Sequence, residues 1–324
     1  MAALPNLFTT RLYYALRRCF DQRQRAEMKH WLAAARKRFP GPQLLLHGRF
    51  TASELVSQFR DRINTDFEIL MVHSAYDRLL PMYSGNPVEL VNELMAYCGS
   101  QRTLAMPAFV LGGRYYDPID YYKSHSFDVR RTISEMGLLT EVFRRKPGVK
   151  RSLHPTHSVC ALGPLAEAMT ATHHLGTTRA GKLTPFEFMA QKRTVVVGLG
   201  VEYFRCLTQA KGVEDLLGDD FPIACEKKSV PVRMIDASQR EVPYQLTVRE
   251  FSQPVRAIVL RSLLSKDELA EWRFHGVSLW MTFAHRVTEC LLQAASKGIT
   301  IYGKAGTASR KSEDQRQGTS PANQ

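Results

Sequence analysis

Apolar residues return along this chain at two periods, and the change between them divides it into regions. Residues 11–38, RLYYALRRCFDQRQRAEMKHWLAAARKR, repeat apolar side chains at helical spacing through Leu12, Ala15, Leu16, Cys19 and Phe20, with a strongly basic opposite face. FPGPQ at 39–43 breaks that helix and marks a boundary. From residue 51 the pattern is α/β. TASELVSQFRDR predicts a helix with Thr51 as N-cap, FEILMVHS (67–74) a buried strand whose polar end opens into a site, and NPVELVNELMAYCG a helix with proline in its first turn. TLAMPAFV (103–110) reads as a strand and MGLLTEVFRR as a helix stopping at Pro147-Gly148. SVCALGPLAEAMTATHH starts as a strand and turns helical, with Gly176 expected as a helix cap. RTVVVGLG (193–200) is the clearest buried strand. KKSVPVRMID and REVPYQLTVREF then form a β-like pair, VRAIVL predicts a strand, and SLWMTFAHRVTECLLQAASKG a long helix whose Trp280 and Phe283, like Trp272 before it, belong to the core.

Such alternation predicts an α/β fold: a mixed, mainly parallel sheet flanked by helices, with an N-terminal helical extension. The expected organisation is a basic extension at 1–50, one domain at 51–303 and a disordered tail at 304–324, which is almost free of apolar residues.

Composition narrows the function classes. With 44% hydrophobic and 23% charged residues, the 324-residue chain can bury a substantial core. No window reaches the ~18 uninterrupted apolar residues of a membrane span. No charged segment precedes an apolar run at the N-terminus, so the expected location is cytoplasmic. The six cysteines, Cys19, Cys98, Cys160, Cys206, Cys225 and Cys290, form no CxxC pair, and neither a zinc ribbon nor a disulfide framework is expected. The net charge of +13 is unevenly placed. Residues 11–40 hold nine Lys/Arg against two Asp/Glu, the last 21 residues hold four against two, and the remainder keeps only +4. Nucleic acid is therefore not expected as a partner. The basic face of 11–38 is either a solvated helix face or a peripheral contact with an anionic membrane or an acidic partner.

The densest candidate chemistry is KRSLHPTHS at 150–158. His154 and His157 lie close in sequence, but Pro155 separates them and no third ligand stands at metal spacing, so no metal site is expected. A loop histidine after a strand is instead a natural general base.

Around that loop, FDVRRTISEMGLLTEVFRRKPGVKRSLHPTHSVCALG (127–163) resembles the aminoglycoside 3-N-acetyltransferase family. Phe127-Asp128, Thr132, Gly137, Glu141, Phe143-Arg144, Pro147-Gly148, Arg151-Ser152, His154-Pro155 and Ser158 fall in family order. MVHSAY, GSQRTLAMPAF, HHLG and TPFEFMAQKRTVVVGLG extend the similarity to roughly residues 51–303. The resemblance implies a transferase moving an acetyl or other acyl group from coenzyme A to an amino group of an amino sugar, without a metal. It implies that His73, Ser74, Thr132, Arg151 and Ser152 line the acyl-CoA site. The base is then His154 or His157, oriented by Glu141 or Asp128.

One departure matters. Antibiotic-modifying members carry His-x-x-Glu after the VVVGLG strand, and here those positions hold Thr208 and Lys211, with Glu214 three residues on. Three readings stay open: one of the loop histidines is the base; the acceptor is another amine, such as a nucleotide-linked or polysaccharide-precursor sugar; or the chain is a non-catalytic relative that binds coenzyme A or a protein partner. The mildly basic core favours an anionic acceptor over a polycationic aminoglycoside.

Overall fold

The computed structural model describes residues 41–63, 66–112, 117–252 and 255–304. The basic helix expected at 11–38 and the tail from 305 lie outside the described residues.

The strands that matter are β1 (Ile69–Ser74), β2 (Thr103–Pro107), β3 (Phe127–Asp128), β4 (Lys150–Arg151), β5 (Val159–Leu162), β6 (Thr194–Leu199), β7 (Glu226–Ile235), β8 (Glu241–Glu250), β9 (Leu269–Phe274) and β10 (Val277–Phe283). Among the described residues the main sheet has seven strands in the order β4-β5-β2-β1-β6-β10-β9. Its centre, β2-β1-β6, is parallel, and both margins are antiparallel. The mixed α/β sheet expected from the sequence is thus present, with its parallel part at the centre. The outermost pairs, β4-β5 and β9-β10, are joined by short connections, which suit antiparallel neighbours. At one margin, β9 returns into β10 through His275 and Gly276, both at positive φ.

Alternation along each strand separates two helical layers. Leu70 and Val72 of β1, Val195 and Val197 of β6 and Leu104 of β2 face the helices Ala52–Arg60, Pro87–Cys98 and Leu138–Arg144. Ile69 and Met71, with Val196 and Trp280, face Pro185–Ala190, Gln209–Leu217 and Ala284–Ser296. Both faces are covered, which is why the central strands read as continuous apolar runs.

Local chemistry places the helix starts where expected. Thr51 Oγ1 accepts from the Glu54 amide at 3.3 Å while Glu54 Oε2 accepts from the Thr51 amide at 2.7 Å. Asn86 and Glu89 form the same reciprocal cap ahead of Pro87–Cys98.

Two local expectations are corrected and two are refined. Residues Gly41–His47, which begin inside the expected break, form a helix, with Pro42 in its first turn, where its missing N–H is harmless. Ala257–Leu263 is a helix, not a strand: Leu260 and Leu264, four apart, both enter the core. Val277–Phe283 is strand β10, and the helix begins only at Ala284. Both faces of β10 are buried, so no polar alternation betrays it in the sequence. His173–Leu175 ends with Gly176 at the cap position, as expected, but in extended backbone (φ −74°). Glycine is required there for space, since a Cβ would lie 2.9 Å from the Lys182 carbonyl oxygen. Phe50, which the sequence reading puts in the N-terminal extension, is 1% exposed and bridges to Tyr83 in the main core.

A second sheet, β3-β7-β8, stands beside the first. Its core of Val230, Val232, Met234 and Leu246 takes in Leu153 of the histidine loop, and Tyr122 donates to the Pro155 carbonyl at 2.6 Å. The β7-β8 pair expected from the sequence therefore acts as a wall that holds the loop.

Candidate active site

Since β1, β2 and β6 are parallel, their carboxyl ends share one sheet edge. From β1 the chain moves to β2 on one side and later to β6 on the other, so the end of β1 is a switch point in strand order, where α/β proteins gather ligands. His73 and Ser74 close β1 at this point, opposite Gly198 and Leu199. β5 runs antiparallel to β2 with Val159 opposite Pro107, which brings loop 152–158 to the same edge.

His73 is 4% exposed, and burial alone lowers its pKa to about 4, so it is neutral at pH 7. Its ring lies 6.1 Å from that of Trp280, whose indole N–H donates to the Val201 carbonyl at 2.6 Å. The indole occupies the space above Gly198, where a Cβ would meet Trp280 Nε1 at 2.0 Å. Gly198→Ala should therefore displace the indole and destabilise the protein by about 3 kcal/mol. Urea unfolding followed by tryptophan emission checks this; an unchanged midpoint and spectrum would show that the glycine is not needed for this approach.

Within the loop the two histidines differ in their hydrogen bonding. His154 is fully buried, and its Nδ1 accepts from the Thr156 amide at 3.2 Å and the His157 amide at 3.0 Å. Nε2 must then carry the proton, and among the described residues it has no partner. His157 is half-buried; its Nδ1 lies 2.9 Å from Thr156 Oγ1 and its ring 4.6 Å from that of Phe109. Both histidines are held well below their ordinary pKa. Burial is the main cause, with His173, His157 and Arg179 next for His154, and Arg179 and Lys211 next for His157.

His173 stacks on His154 at 4.3 Å. A chain of bonds fixes its neutral form: the Val159 amide donates to Ser152 Oγ at 2.8 Å, Ser152 O–H to His173 Nδ1 at 2.9 Å, and His173 Nε2–H to the Arg179 carbonyl at 3.2 Å. Burial pushes the His173 pKa down to about 3. Tyr244 from β8 lies edge-on to His154 at 5.4 Å and donates to the Gly176 carbonyl.

Arg179 joins this cluster to helix Gln209–Leu217. It pairs with the buried Glu214, and its Nε lies 3.5 Å from Asp215 Oδ2. Glu214 also accepts from Tyr302, and Asp215 from the Ala180 amide at 3.0 Å. The close approach uses Gly212, whose Cβ would stand 3.0 Å from the Ala180 carbonyl oxygen.

The structure distributes the sequence-predicted residues unevenly. His154 and His157 share a loop, with Ser152 beneath them. Ser152 is fully buried and spends its hydroxyl on His173 and Val159. Arg151 lies over Phe127 and donates to Ser158 Oγ and to the carbonyls of Ala108, Val129 and Thr132, so it ties segment 129–132 to the end of β2. Thr132 is half-buried; its hydroxyl accepts from the Asp128 amide. Ser74 is half-buried at the strand end. Glu141 accepts from Arg144 and the Ser134 amide and pairs with Arg145; among the described residues it bonds no histidine. Asp128 caps its own turn through the amides of Arg130 and Arg131. Thr208 donates to the Cys206 carbonyl. The sequence reading missed Arg179, Tyr244 and the placement of His173, for which spacing gives no signal. Among the described residues no three His, Cys, Asp or Glu side chains are grouped to hold a metal ion.

Fold and site together define an α/β protein with a histidine-rich polar cluster at the carboxyl edge of a mixed sheet. The sequence profile of the aminoglycoside 3-N-acetyltransferase family matches residues 71–290, and the chain belongs to that family. Aminoglycoside N(3)-acetyltransferase IV of Salmonella sp is 33% identical over 115 residues, 36% of this chain and 40% of the relative. Aminoglycoside N(3)-acetyltransferase IX of Micromonospora chalcea is 24% identical over 237 residues, covering 67% and 83%. The matched region spans 30–40% of the length of the first curated relatives. Two solved structures share the fold. A histidine-to-alanine variant of aminoglycoside acetyltransferase AAC(3)-IVa in complex with a gentamicin has a TM-score of 0.63 at 21% identity, covering 78% of this chain and 91% of that one. AAC-IIIb in a binary complex with CoASH has a TM-score of 0.60 at 21% identity, covering 76% and 97%.

Proposed function

We propose that this chain is an acyl-CoA-dependent N-acyltransferase that acylates an amino group of an amino sugar, with His157 as the base. The observation carrying the choice of base is the loop's hydrogen bonding. His154 Nδ1 is occupied by two backbone amides, and its remaining nitrogen holds a proton, so His154 is a donor. His157 Nδ1 bonds Thr156, and its Nε2 has no partner among the described residues. With Nδ1–H donated to Thr156, the Nε2 lone pair is open. Burial keeps the ring neutral at pH 7, the form that accepts a proton.

The acceptor amine attacks the thioester carbonyl, and His157 takes the proton the amine loses. The carbon–sulfur bond breaks, the coenzyme leaves as thiolate, and the imidazolium returns the proton to it. His173, Ser152 and Arg151 position the loop. Ser74 and Thr132 remain the proposed contacts for the acyl-CoA, since they are the members of the expected set that are half-buried at this edge without a committed guanidinium or a sealed hydroxyl. The family membership and the CoASH complex of AAC-IIIb support the choice of donor.

His157→Gln should lower kcat about 10²–10⁴-fold, with acetyl-CoA affinity retained in calorimetric titration. His154→Gln should instead destabilise the loop. Thiol release on an amino-sugar panel reads the first effect and thermal melting the second. Full turnover in His157→Gln would remove this histidine from the mechanism. Coenzyme binding with no turnover on any amine would return the non-catalytic reading.

A further inference from the structure

Segment 172–184 runs between the histidine loop and helix Gln209–Leu217, and its own bonds close it into a compact strap. Thr172 Oγ1 donates to the Leu183 carbonyl at 2.9 Å, the Gly181 amide to Thr178 Oγ1 at 3.1 Å, and Thr184 Oγ1 to the Gly181 carbonyl at 2.7 Å. Bonded to itself in this way, the strap is placed by its outside attachments. One is Tyr244 of β8, which donates to the Gly176 carbonyl at 3.1 Å. The other is a pair of buried carboxylates on the helix. Asp215 Oδ2 accepts from the Ala180 amide at 3.0 Å and lies 3.5 Å from Arg179 Nε. Glu214 pairs with the Arg179 guanidinium and also accepts from the Tyr302 hydroxyl. Two glycines let the elements approach: a Cβ at Gly212 would stand 3.0 Å from the Ala180 carbonyl oxygen, and one at Gly181 2.9 Å from that of Asp215.

What the strap presents next to the loop is a backbone carbonyl. That of Arg179 accepts from His173 Nε2–H at 3.2 Å, and the His173 ring, so oriented, stacks on His154 with centroids 4.3 Å and planes 23° apart. His154 Nδ1 accepts from the amides of Thr156 and His157, and Thr156 Oγ1 bonds His157 Nδ1. Contact is therefore unbroken from the two helix carboxylates to the proposed base. Among the described residues the helix makes no hydrogen bond to loop 152–158 itself, so the strap is the intermediary.

We propose that Glu214 and Asp215 are positioning residues: by clamping Arg179 and Ala180 they set the Arg179 carbonyl, and through His173 and His154 they aim His157 at the acceptor amine. The inference rests on the transferase reading above and adds to it residues that touch neither substrate. A clamp that only held the fold together would change stability and leave the rate of each folded molecule as it was. A clamp that aims the base changes the rate itself, because a displacement of about 1 Å costs on the order of 10²-fold.

The test compares the full-length parent with Arg179→Lys and with the double variant Arg179→Met, Glu214→Gln, which leaves the clamp neutral. Thiol release from acetyl-CoA is measured on glucosamine and tobramycin well below each melting temperature, with folding verified by circular dichroism. Per folded molecule, kcat of the double variant should fall about 10- to 100-fold while KM for acetyl-CoA stays within about twofold. Arg179→Lys, which keeps a cation for Glu214, should retain most of the parental kcat. Ring-nitrogen NMR of histidine-labelled protein gives an independent reading: His173 should be in the Nε2–H form in the parent and should lose that single form in the double variant. Parental kcat per folded molecule, or an unchanged His173 signal, in the double variant overturns the inference. Asp215→Asn, which keeps the side chain's shape and drops its charge, is read by the same two measures if the double variant does not fold. If the parent turns over no amine, the transferase reading fails on its own, and the ring signals decide the clamp. Unchanged His173 and His154 signals in the double variant then refute it, and altered signals uphold it as what sets the loop.

Discussion

Replacing Arg179 with alanine is expected to lower stability at pH 7.5 by about 3–5 kcal/mol. The guanidinium is the partner of two carboxylates whose side chains are 1% and 4% exposed, Glu214 and Asp215. Glu214 keeps the Tyr302 hydroxyl and Asp215 the Ala180 amide, but neither bond neutralises a charge. Asp215 already sits above the ordinary aspartate range, chiefly through burial, with Arg179 the largest opposing influence. Without Arg179 at least one carboxyl must take up a proton or the cluster must open. The double replacement Arg179→Met with Glu214→Gln removes charge from both sides and should recover part of the loss, because a buried pair exchanged for neutral groups is often tolerated. Urea unfolding of the three proteins measures this. A single variant within ~1 kcal/mol of the parent would show that the carboxylates are already neutral or hydrated.

Stability should also fall steeply on acidification below about pH 6.5. His73 and His173 titrate near 4 and 3 in the folded protein, and His154 and His157 are lowered in the same direction. An unfolded chain releases them at their ordinary pKa, so between those values the unfolded state binds protons that the folded state refuses. The stabilisation is complete above the unfolded value and is lost as pH falls toward the folded one. By pH 5, His73 and His173 should each have cost ~2 kcal/mol relative to pH 8. Asp215, whose pKa is raised, pulls weakly the other way. Urea midpoints between pH 5 and pH 8 give the slope, and His73→Gln should flatten it by about 2 kcal/mol over that interval. A pH-independent midpoint would show that these rings are hydrated and titrate normally.

The sequence by itself determined the elements whose causes are local. Thr51 and Asn86 cap helices because each has a glutamate three residues on, and 69–74 and 194–199 are strands because their apolar runs are short and bounded by polar or glycine residues. The ordered series Arg151-Ser152, His154-Pro155 and Ser158 carried the family, since those residues fold one loop through bonds to their own neighbours. Only the tertiary structure decided what each group of the site is available for. Arg151 and Ser152 look like open donors in sequence, but Ala108, Thr132, Val159 and His173 lie far along the chain and come back to use them. Strand β10 was hidden because burial on both faces erases the polar alternation that marks a strand. Glu214 and Asp215 read as ordinary helix charges until Arg179, far earlier in the chain, is seen to pair with both. The charge balance of a group is a property of all its neighbours at once, and neighbours across a sheet edge are set by packing, not by spacing along the chain.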